Sequence, residues 1–251
     1  MDALKSLKLQ KAAIMCGFAF LAFIGIGWLG VGHFYAPAHA DLTLPETLQY
    51  FTQDYAWQNI WGNSCIIIAA AFLCPPSIML GLYYADIEGR RPVWSIAAGV
   101  GGLSIALIIF MNGCMWMSCA YRPWLEAENV QMMSDFAWFA FLLGWVYLEL
   151  EMMAVTIVSL NYKNRMIPRW FGFASLVGGL VLMGAQGIAF FQSGPFAYHG
   201  LMGFYMPMLV WGCWFIGETV FMRKENKRRT QELLAEHPEL AVAAADDDEE
   251  E

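Results

Sequence analysis

The sequence predicts an all-α membrane protein, a six-transmembrane-helix bundle with both termini on the cytoplasmic side. Six predominantly apolar runs lie at about residues 12–32, 59–84, 93–117, 135–160, 170–192 and 201–222. Each is long enough to cross a bilayer, which takes about 20 such residues as a helix. Thirteen of the fourteen Lys and Arg residues fall at one set of alternate ends of these runs. Basic residues are retained on the cytoplasmic side, so those ends are assigned inside. Charged residues make up only 14% of the chain and hydrophobic residues 59%, against about 25% charged in an ordinary soluble protein.

Lys5, Lys8 and Lys11 precede the first run. With the apolar stretch and Ala38-His39-Ala40 they also resemble a signal peptide with an A-x-A cleavage site. The stretch is too long for that, because a signal h-region has about 7–15 apolar residues. A retained helix is expected; cleavage after Ala40 would leave five spans. A long external loop follows, from about His33 to Gln58, with Asp41, Glu46 and Asp54 and no Lys or Arg. Pro37 and Pro45 interrupt any helix there, since proline lacks an amide hydrogen and clashes with the preceding turn. Trp57 and Trp61 mark the membrane interface at the start of the second span.

Pro75-Pro76 should kink the second helix. Asp86 to Pro92, with Arg90 and Arg91, is a tight internal connector. In the third span Ala97 and Gly101, and Ala98 and Gly102, have the small-residue spacing that lets helix backbones approach closely in lipid. Ala174 and Gly178 repeat it in the fifth. The second external loop holds Arg122, the single external basic residue, with Glu126 and Glu128. Lys163, Arg165 and Arg169 return the chain to the inside, and Pro168 suits the start of the fifth helix. Ser193 to Gly200 is a short external turn.

After the sixth span come Arg223, Lys224, Lys227, Arg228 and Arg229. Residues 1–222 therefore read as one transmembrane domain. Residues 223–251 read as a cytoplasmic tail, basic then acidic and largely disordered, whose first part, to about 240, can continue as a short polar helix. The net charge of −8 owes six charges to Asp246 to Glu251. The membrane part is near neutral, and no nucleic-acid partner is implied.

The fourth span carries the most informative residues. Asp135, Leu142, Glu149 and Thr156 recur every seven positions, beside Trp138, Trp145 and Met152. A carboxylate within a span is expensive and faces a partner or a wet cavity. Glu149 lies about 21 Å beyond Asp135 at 1.5 Å per residue, past the bilayer midpoint. It is the first candidate for a ligand or proton site; the bland alternative is a hydrogen-bonded structural carboxyl. Glu151, two residues on, projects to a different side. Asn63, Asn112 and Gln186 sit in other spans and should face the interior, as partners of such a site or as interhelical glue. Glu218, five residues before Arg223, reads as interfacial.

A second cluster is external: His33, His39, His199 and Cys119, with Asp41, Asp54 and Asp135 on the same side. Imidazole and thiolate bind copper, iron or zinc. The sequence contains no His-x-x-x-His or Cys-x-x-Cys pair, so surface histidines are the bland reading. Of the six cysteines, most lie in spans and act as small apolar residues; Cys119 is the one expected to be exposed on the external side, with Cys114 near the interface. No G-x-S-x-G or other nucleophile motif appears, which leans against an enzyme.

The six-span layout with Pro168-Arg169-Trp170-Phe171-Gly172 and Gly194-Pro195-Phe196-Ala197 resembles small bacterial membrane proteins; it carries no activity with it. Short external loops point to a bacterial inner membrane. An aromatic-rich bundle with one deep carboxylate suits a protein that binds or helps move a small apolar molecule. The alternatives are an accessory subunit of a larger membrane complex and a metal-dependent membrane enzyme using the external histidines.

Overall fold

The computed structural model describes residues 2–122 and 124–240. Pro123 and the acidic run Asp246 to Glu251 lie outside the described residues. Six helices are long and apolar enough to cross a membrane, and the described residues include no strand. The bundle is all-α, as expected.

Helix α1 (Asp2–Ala22) continues as a wider π-helical stretch, Phe23–Val31. The outer loop contains a short helix α2 (Leu44–Gln49), capped by Thr43 and Glu46. Glu46 accepts from both the backbone N–H and the hydroxyl of Thr43. Those bonds hold its carboxyl below the usual range. The membrane helices α3 (Ala56–Glu88) and α4 (Val93–Tyr121) form the most extensive helix pair. The fourth span consists of α5 (Ala127–Leu143) and α6 (Val146–Asn161), with a break at Gly144-Trp145. Helix α7 (Arg169–Met183) tightens into a 3-10 stretch, Gly184–Phe190. Helix α8 (Met206–Glu236) runs unbroken past residue 222.

Small residues set the helix spacing. A Cβ on Gly62 of α3 would collide with the Gly32 backbone at the end of the first span. At Gly102 of α4 it would collide with Ser77 of α3 and meet Glu151 Oε1 at 3.0 Å. The stripe read from the sequence therefore packs inside the bundle. Helix α3 continues through Pro75 and Pro76; neither can donate to the preceding turn.

The outer half of the core is aromatic. Trp28, Trp116, Trp138, Phe141 and Phe204 meet there at ring distances of 4.8–6.4 Å. Phe34, from the outer loop, inserts among them, 4.7 Å from Trp28 and 5.0 Å from Trp116. The loop is thus anchored in the core. Exposed side chains such as Ile68, Leu107, Leu180 and Leu209 give the outside of the spans an apolar surface, which suits contact with lipid.

Candidate functional site

Glu149 stands on the first turn of α6, beside the break after α5. It is half-buried and lines an open groove of about 400 Å³. The α6 wall is Val146, Glu149, Leu150 and Met153; the α7 wall includes Ser175, Leu176, Gly179 and Leu180. Leu176, Leu180 and Met153 are also exposed, so the groove opens on the lipid-facing side. Ser175 is already engaged: its hydroxyl donates to Phe171 O and accepts from Trp214 Nε1. Gln186 lies within reach of Glu149. Even so, Glu149 Oε1 and Gln186 Nε2 are enclosed atoms without a well-formed hydrogen bond. The arrangement is an apolar slot with an acid and an amide at one edge.

The other interior candidates do not join that groove. Asn63 and Asn112 lie on adjoining turns of α3 and α4, fully buried. Asn63 donates to Asn59 O, while both polar atoms of Asn112 lack a partner. Trp145 is core, packed 5.6 Å from Phe141 and 6.4 Å from Trp211. Asp135 sits nearer the outer end, where Tyr198 donates to it at 3.4 Å.

At that end the fold brings His39, Asp41 and His199 together, with their ligand atoms within 4.8 Å of one another. The two imidazoles stack with centroids 4.2 Å apart and planes 8° apart. The Ala40 N–H donates to His199 Nδ1 at 2.9 Å. The neutral ring then carries its proton on Nε2, leaving no free lone pair for a metal. Stacked rings also aim their in-plane lone pairs parallel rather than at one point. A metal would therefore require His199 to turn. Burial first, and the neighbouring His39 second, lower the affinity of His199 for a proton, with Asp41 opposing. His33 lies elsewhere, stacked on Tyr55 at 4.2 Å. Cys119 is buried, not exposed as expected, because α5 covers it: its thiol faces Met115 O and Val130 O.

Two carboxyls lie deeper in the bundle than Glu149. Glu151 and Glu218 are both buried. Glu218, read from the sequence as interfacial, is enclosed by neighbouring helices, and α8 stays packed well past it. Comparison with protein-family models, with curated proteins and with solved structures finds no match.

Proposed function

We propose that the protein binds, and helps to move, a small and largely apolar molecule that enters the α6–α7 groove from the lipid. One observation carries this reading: a membrane carboxyl with an unpartnered oxygen stands at the edge of an otherwise apolar groove. Such a site accepts an apolar body and one hydrogen-bonding group. Glu149 would supply the polar contact, with Gln186 beside it. The chain would sit in a bacterial inner membrane with both ends cytoplasmic, residues 1–222 forming the membrane domain and 223–251 the tail.

Gly179 offers a clean test, because a Cβ there meets nothing within 4 Å. Gly179→Leu places an apolar side chain at the groove wall, from a position where its Cβ meets no neighbour. Saturable binding of the apolar fluorophore N-phenylnaphthylamine to the purified protein in nanodiscs should fall at least tenfold in Gly179→Leu. Equal binding by both proteins would remove the groove from consideration.

The accessory-subunit reading draws on the extensive exposed apolar surface. It requires a stoichiometric partner after purification in mild detergent. The metal-enzyme reading draws on His39, Asp41 and His199, whose stacked geometry is not preformed for a metal.

A further inference from the structure

Separate from the groove, α3, α4, α6 and α8 enclose a cluster of acidic and phenolic groups. Glu151 on α6 is 4% exposed and Glu218 on α8 is 1% exposed. The two carboxyls lie close enough to interact, and the fully buried Tyr84 of α3 interacts with both. Glu151 is pressed against the Gly101–Gly102 surface of α4, and the Ser77 hydroxyl of α3 lines the same contact. Ser77 spends its proton on Leu73 O. Among the described residues the Tyr84 hydroxyl and Glu218 Oε1 have no hydrogen-bond partner. The cluster therefore encloses a phenol without an acceptor and a carboxyl oxygen without a donor, hydrogen-bonding capacity that an additional proton could use.

Charge accounting narrows what that group is. Neither carboxyl forms an ion pair with Lys or Arg among the described residues. Two bare carboxylates enclosed together would be unsustainable, whereas a proton shared between them forms a hydrogen bond and halves the buried charge. Other elements packed here bring no opposing charge: α4 presents Gly101 and Gly102, α1 presents Gly17 to Thr219, and α7 presents Phe171 to Gly217. Arg223 and Lys224 follow on α8 but are exposed; the next buried charged group is Glu225, seven residues along, held by Arg228 and Arg229. Arg229 also reaches Asp86 and lies over the Tyr83 ring. Fully buried Met222 separates that network from Glu218 on the same helix face.

We propose that Glu151, Glu218 and Tyr84 form a proton-binding site inside the membrane bundle, with one proton shared between the carboxyls and the Tyr84 hydroxyl donating to the pair. The proton arrives from water at the Glu225 end, with Met222 as the barrier, and leaves the same way.

The experiment is infrared spectroscopy of the full chain in lipid nanodiscs at neutral pH, reading the carbonyl stretch of protonated carboxyls and its shift in D₂O. Glu151→Gln and Glu218→Gln should each shift that component, because the remaining carboxyl holds the proton without its partner, and the double variant should remove it, whereas Glu149→Gln should leave it in place. Gly179→Leu should also leave it, so failure of the groove reading is distinguishable from failure of this one. Tyr84→Phe, which removes a single oxygen, should shift the band without abolishing it. It carries the test if either Gln variant does not fold. A band unchanged in every variant that folds overturns the proposal. So does a band bleached when sodium chloride replaces choline chloride, which would make the site one for sodium.

Discussion

Glu149 and Glu151 stand two positions apart on α6 and occupy opposite environments. The first edges a groove open to lipid; the second is enclosed against Gly101 and Gly102 of α4. An α-helix turns about 200° over two residues, so a single turn carries one acid on each side of the bundle wall.

That separation makes the two acids independently testable. Glu149→Gln keeps size and hydrogen bonding, so it should preserve the thermal midpoint. It should also abolish any pH dependence of apolar-probe binding, with a loss of affinity of about tenfold, or about 1.4 kcal/mol. Fluorescence titration across pH checks this. An unchanged profile in Glu149→Gln, with the dependence lost in Glu151→Gln, would move the ligand contact to the inner acid.

Gly102 and Gly179 make a matched pair for stability. Gly102→Ala drives a methyl group into Ser77 and against Glu151, whereas Gly179→Ala meets open space. Overpacking of this kind costs about 1–3 kcal/mol. Thermal unfolding in detergent should show a clear drop for Gly102→Ala and almost none for Gly179→Ala. Equal midpoints would mean that α3 and α4 are not held at this spacing.

The bundle itself was legible, because span number follows from apolar length. The depth of the acids was legible only in part. Trp138, Phe141, Trp145, Leu148, Met152 and Val155 all prove buried. Glu151 lies three after Leu148 and four before Val155, but Glu149 likewise lies four after Trp145 and three before Met152, so the two acids flank the stripe on opposite sides and helical phase does not separate them. What separates them is the neighbour on each flank: Gly101 and Gly102 of α4 close over Glu151, while the flank at Glu149 stays open as a groove. Glu218 was obscured differently. Its closeness to Arg223 suggested an interface, yet α8 keeps Glu225 and Asn226 buried beyond it, so the packed interior outlasts the apolar run. The stacking of His39 on His199, and the hydrogen bond from Ala40 to His199 across 159 positions, join distant parts of the chain, and no local pattern encodes such a loop closure.

The outer cap should loosen in acid. The proton affinity of His199 is lowered in the folded state, chiefly by burial. The unfolded chain therefore binds the proton more readily. The contribution to stability is fully present above the ordinary histidine value of 6.5. It is lost as pH falls through the lower folded value. A protonated His199 also loses the Nδ1 lone pair that accepts from Ala40. Hydrogen exchange of residues 36–43 should accelerate between pH 7.5 and pH 5. His199→Phe keeps a ring against His39 but cannot titrate, so its exchange, corrected for intrinsic rate, should show no such step. A step of equal size in the variant would assign the effect to another group.

The orientation of the whole bundle rests on the basic residues, and the structure supplies a reason to test it at three loops at once. Arg229 joins Asp86 at 2.6 Å, which brings the basic end of α8 to the connector that holds Arg90 and Arg91. Six crossings place Lys163 and Arg165 at that same end. Asp54, Glu126 and Ser193 are exposed at the opposite ends of the helices. Cysteines introduced at those three positions should react with an impermeant maleimide added to intact cells, above the background from the native cysteines. Cysteines at Arg91 and Lys163 should react only after the membrane is opened. Retention of cations on the cytoplasmic side is a strong bias for short loops, and both of these connectors are short. The reverse pattern at all five sites would invert the bundle and leave its packing untouched. Asp54 alone behaving as internal would instead put both ends of α3 on one side and remove α3 as a crossing.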